Sequence, residues 1–101
     1  MEVIEINEKE FEEKIKGKKV LIDCYAPWCG PCRMLSPVID ELAKEVNDVS
    51  FYKLNTDEAE EVSIKYGIMS IPTILYFEDG VLKNTSIGFK PKDEIKKMIG
   101  E

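Results

Sequence analysis

Apolar and polar positions along this chain switch between a two-residue and a helical period, and the switches mark its elements. Residues 3–6 read as a short first strand, and Asn7 with Glu10 three positions on has the form of a capping box. The helix it opens carries Phe11 and Ile15 on one face and is closed by Gly17. Residues 20–26 are almost continuously apolar, the pattern of a strand covered on both sides, which predicts a central place in a sheet. Asp23 is the one charge inside that run. Leu35, Val38, Ile39, Leu42 and Val46 then recur at helical spacing and predict a helix over 31–46, with Pro37 expected to kink it.

Residues 49–55 predict a third strand. Asp57 is placed as the N-cap of a helix that turns Ala59, Val62 and Tyr66 inward until Gly67 stops it. Two further strands, 73–78 and 81–87, flank Asp79-Gly80, a strong hairpin signal, so they should run antiparallel. Pro91 opens a last helix with Ile95, Met98 and Ile99 along one side. The order β-α-β-α-β-α-β-β-α predicts an α/β fold in three layers, with helices on both faces of a mixed five-stranded sheet. In such sheets the working site lies beyond the carboxyl ends of the strands.

Composition narrows the function classes. At 101 residues the chain has room for one core, so a single domain over residues 1–101 is expected. A net charge of −6 argues against nucleic acid or an anionic membrane as the main partner, though it serves solubility equally well. The start of the chain shows no basic region followed by an apolar stretch, and no segment approaches the ~18 apolar residues of a membrane helix. A cytoplasmic protein, acting as a monomer, is the expectation. In a reducing compartment, a CxxC among three cysteines points to catalysis rather than to stapling.

That motif is Trp28-Cys29-Gly30-Pro31-Cys32, directly after the predicted central strand. Cysteines three apart at a helix start share a face, close enough for a disulfide without backbone movement. Cys29 at the N-cap meets free backbone N–H groups and the positive end of the helix dipole, which favour a thiolate there. Pro31 stiffens the link and leaves the Cys32 N–H free to reach the Cys29 sulfur, while Gly30 removes bulk beside it. An exposed sulfur is expected at Cys29. Two other readings stand beside this one. Zinc would need a second ligand pair, and the chain has no histidine and only Cys24 besides. An inert structural disulfide is conceivable, but so short a loop constrains the unfolded chain weakly.

Asp23, the run Ala26-Pro27-Trp28-Cys29-Gly30-Pro31-Cys32, Pro37, Lys53 with Asp57, Ile71-Pro72-Thr73, Asp79-Gly80 and Gly88 occur in an order that resembles the thioredoxin family over essentially the whole length. The resemblance implies the thioredoxin fold, with four helices, and protein-disulfide reductase chemistry without a bound cofactor. It makes Cys29 the attacking and Cys32 the resolving cysteine, Asp23 a buried acid that exchanges a proton with Cys32, and Lys53 a neighbour of that acid. It makes Pro72 a cis proline against the disulfide, and Trp28, Met69, Ser70, Ile71 and Gly88 an apolar collar that takes extended peptide. Partners implied are disulfide-containing client proteins and a thioredoxin reductase. For Met69 a core position is an equal alternative. The chain departs from the common pattern at Cys24, read as a small buried hydrophobe, at Tyr25, where tryptophan is common, and at Arg33, where lysine is.

Two rivals remain. A disulfide oxidase or isomerase would share the chemistry but hold a higher reduction potential. A binding module would use the same surface with its redox activity incidental.

Overall fold

The computed structural model describes residues 2–101. Its elements run β1 (Val3–Ile6), α1 (Glu8–Lys14), β2 (Lys19–Tyr25), α2 (Gly30–Glu45), β3 (Ser50–Asn55), a 3₁₀ turn (Thr56–Glu58), α3 (Glu60–Lys65), β4 (Thr73–Glu78), β5 (Val81–Ile87) and α4 (Lys92–Met98). The sheet order is β1-β3-β2-β4-β5, so the most apolar strand is the central one, as its pattern predicts. β3 is parallel to both β1 and β2, while β4 is antiparallel to β2 and to β5.

Alternation along β2 divides the core between the two faces. Leu21 packs with Leu35, Ile39 and Leu42 of α2 and with Ile95 of α4. Val20, Ile22 and Cys24 pack on the other side with Phe11 of α1 and Val62 of α3. Cys24 is fully buried, in agreement with its reading as a small hydrophobe. On that side Phe11, Tyr66 and Phe77 form a three-ring cluster, with centroid separations of 5.3 to 6.0 Å.

Local chemistry fixes the ends of elements. The capping box at α1 is complete: Glu10 N–H donates to Asn7 Oδ1 at 2.9 Å and Asn7 N–H to Glu10 Oε1 at 3.0 Å. Asp79 and Gly80 have φ of 52° and 80°, both positive as a two-residue hairpin turn of this kind requires. α2 runs through Pro37 as one helix and is tied to α4 by Lys92, which bonds Glu41 at 2.7 Å and also Glu45. The expected cap at Asp57 is not there. Asp57 lies in the 3₁₀ turn, whose start is capped by Asn55 Oδ1 accepting from Asp57 N–H, and α3 begins three residues later without a side-chain cap. An Asx turn at Asn55 satisfies the chain first and displaces the helix start.

Candidate active site

β2 delivers the chain to the carboxyl end of the sheet, and the turn Ala26-Pro27-Trp28 returns it at once into α2. Cys29 is the N-cap of that helix and its N–H donates to Ala26 O at 3.1 Å. Gly30 and Pro31 occupy the first two helical positions, where the missing Pro31 N–H costs no helix bond. Cys29 and Cys32 are joined as a disulfide with a Cα separation of 5.2 Å. The Cys32 N–H donates to Cys29 Sγ at 3.2 Å, the bond that the CxxC spacing predicts. A Cβ on Gly30 would meet nothing among the described residues within 4 Å, so the space beside the sulfur is open to a partner.

The sulfurs are less exposed than the sequence leads one to expect. Cys29 is 4 % and Cys32 3 % exposed, packed with Ala26 and against Tyr25 and Ile71. The short turn folds neighbouring chain over the pair, so attack must come along a narrow approach. Ile71 O lies 3.9 Å from Cys29 Sγ. The Ile71–Pro72 peptide is cis, and Pro72 O accepts from the Gly88 N–H at 2.8 Å. Gly88 has φ of 87°, a left-handed conformation that suits glycine. Trp28 is 68 % exposed and held by its indole N–H, which donates to Asp57 Oδ2 at 2.9 Å. Met69 is 95 % exposed, which removes the core alternative.

Behind Cys32 lies Asp23, buried in β2 as its apolar neighbours predict. Its Oδ1 has no hydrogen-bond partner among the described residues. Burial raises the carboxyl from its usual 3.8 to about 7, opposed by the charge of Lys53 and assisted by Asp40. Lys53 is the register partner of Asp23 on β3. Asp23, Tyr25, Ala26, Pro27, Cys32, Arg33, Ser36 and Lys53 line a pocket of about 130 Å³. Arg33 bonds Pro27 O at 3.0 Å through its guanidinium. The structure therefore gathers Cys29, Cys32, Gly30, Pro31, Ile71, Pro72 and Gly88 around one disulfide, with Asp23 and Lys53 on the pocket beside Cys32. Two residues were given other roles or none by sequence reasoning. Asp57 fixes Trp28 instead of capping a helix, and Glu5 accepts from the Tyr25 hydroxyl at 2.5 Å. The signal for Glu5 was available only in cross-strand register, which a single sequence does not display.

The thioredoxin family model matches residues 2–101. The chain belongs to the thioredoxin family. A chloroplastic M-type thioredoxin of Pisum sativum is 48% identical over 97% of this chain, which spans 59% of that relative's length. The thioredoxin of Bacillus subtilis (strain 168) is 40% identical over 100% of this chain and 98% of its own. Among solved structures, a mutant thioredoxin from Halobacterium salinarum NRC-1 superposes with a TM-score of 0.89 at 34% identity, covering 97% of this chain and 88% of the other. The fold is the thioredoxin fold, with the mixed five-stranded sheet and four helices that the pattern of the sequence predicts.

Proposed function

We propose that this chain is a protein-disulfide reductase in which Cys29 attacks and Cys32 resolves. The observation that carries the reading is the Cys29–Cys32 disulfide at the start of α2, with the Cys32 N–H on the Cys29 sulfur. In the reduced protein, that N–H and the helix terminus favour a thiolate on Cys29 over one on Cys32. The Cys29 thiolate attacks one sulfur of a client disulfide. A mixed disulfide forms, and the client's other sulfur leaves as a thiolate that takes a proton from solvent. Cys32 then gives its proton to Asp23 and attacks the Cys29 sulfur, so the Cys29–client bond breaks and the second client sulfur departs. Two electrons pass to the client and this protein is left oxidised.

Asp23 suits the proton transfer because a carboxyl that titrates near neutral pH can both accept and return a proton there. Ile71, Pro72 and Gly88 offer main chain to an extended client segment, and Trp28 and Met69 offer apolar surface. Lys53 acts as the counter-charge of Asp23. A flavin-dependent thioredoxin reductase would return the chain to its dithiol form, and the chain would need no bound cofactor. It is proposed to work as a monomer. The cytoplasm is the proposed compartment, supported by full-length likeness to the Bacillus subtilis protein. The chloroplastic relatives supply the alternative, and fractionation of the source cells separates the two.

The test is reduction of a model protein disulfide by catalytic amounts of the chain, with NADPH and a thioredoxin reductase as electron source. Turnover that Cys29→Ser abolishes supports the reading. No turnover replaces it with the binding-module reading, and a reduction potential well above the cytosolic poise replaces it with the oxidase reading.

A further inference from the structure

The bond from the Tyr25 hydroxyl to Glu5 takes no part in the steps above, yet the register of three strands ties it to them. Glu5 on β1 lies opposite Lys53 on β3, and Lys53 lies opposite Asp23 on β2. Register partners point to the same face of a sheet and stand ~4.8 Å apart, so one ammonium lies in a row between two carboxylates. Tyr25 follows Asp23 by two residues and so shares its face. It also lines the pocket that Asp23, Lys53 and Cys32 share. Lys53 closes no salt bridge with either carboxylate, so its direction is open to bias.

We propose that Tyr25 and Glu5 are positioning residues: the hydroxyl ties up the Glu5 carboxylate, which leaves Lys53 to face Asp23 rather than Glu5. The inference rests on the reading that Asp23 serves Cys32. The other groups facing Asp23 do not duplicate this control. Asp40 acts on it from α2, where Arg33 and Cys32 line the same pocket, and its partner across β4 is the uncharged Ile74. Glu58 acts on the Tyr25 phenol and is not among the charges that act on Asp23. Removing the hydroxyl frees the exposed Glu5 side chain to draw Lys53 away, and the buried Asp23 then faces less positive charge.

The experiment titrates the Asp23 carboxyl by carbon-13 NMR in the oxidised protein, where neither active-site cysteine ionises. Tyr25→Phe should raise the midpoint by about half a pH unit, less than the ~1–3 of a whole neighbouring charge. Glu5→Gln should not raise it, and the double variant should behave as Glu5→Gln alone, since no carboxylate remains to capture the lysine. In Lys53→Met, adding Tyr25→Phe should move nothing further. An unmoved midpoint in Tyr25→Phe, or a shift that survives in either combined variant, overturns the proposal. The pH profile for resolution of a mixed disulfide is the second readout and should move with the midpoint. If the midpoint moves and the profile does not, the positioning stands and the role of Asp23 in the Cys32 step falls.

Discussion

Replacing Asp23 by asparagine should alter how stability depends on pH more than it alters stability at any one pH. The folded carboxyl holds its proton up to about pH 7, whereas the unfolded one releases it near 3.8. Between those values the folded state binds the extra proton, so stability falls as pH rises through the window and the loss is complete above it. The separation is about 3 pH units, each worth about 1.4 kcal/mol, so the wild type should lose up to about 4 kcal/mol across the window. Because Asp23 lines a pocket beside Cys32 and is not sealed in the core, that figure is a ceiling. Asparagine has no such titration. Placing an amide where Oδ1 has no partner adds a cost of about 1–3 kcal/mol, but one that does not vary with pH. Urea unfolding of the oxidised wild type and Asp23→Asn, from about pH 4 to about pH 8, reads the difference directly. Cys24 does not interfere, because burial raises its thiol well beyond that range. The variant should gain on the wild type steadily with rising pH. Parallel curves would refute the reasoning, as would a difference that shrinks as pH rises.

Cys24, wholly buried and with its thiol pushed up by burial and by Asp23, should resist alkylation in the native oxidised protein and react only on unfolding; rapid native labelling followed by mass spectrometry would contradict this. Asn7→Ala removes one half of the capping box at α1 and should cost about 1 kcal/mol in thermal or urea unfolding, with disulfide exchange unchanged. An unaltered midpoint of unfolding would show that α1 is held by its tertiary contacts, among them Phe11 packing and the Glu8–Val62 bond, without help from the capping box.

Much of this was legible in the sequence because single residues carried decisive physics. The almost continuous apolar run around β2 placed that strand in the centre and buried Asp23 with it, since a charge flanked by Leu21, Ile22 and Cys24 has nowhere else to go. Asn7-Glu10 and Asp79-Gly80 specify their own geometry through local hydrogen bonds and positive φ, and both formed as written. Asp57 misled because two polar residues, Asn55 and Asp57, compete to end the same strand, and the earlier one captures the backbone N–H. The exposure of Cys29 was overstated, because a helix N-cap is open by its local geometry and packing with Ala26, Tyr25 and the distant Ile71 closes it. The cis Ile71–Pro72 peptide came from family resemblance alone, since most bonds to proline are trans. The Tyr25–Glu5 bond escaped entirely. It joins residues 20 apart in sequence and depends on the parallel register of three strands.

The division of labour between the two cysteines is tested most directly by incubating reduced Cys32→Ser with a disulfide-bonded client and mapping the product by mass spectrometry. The account predicts a stable one-to-one mixed disulfide whose bond to the client is made by Cys29. No adduct, or an adduct mapped to Cys24, would contradict it.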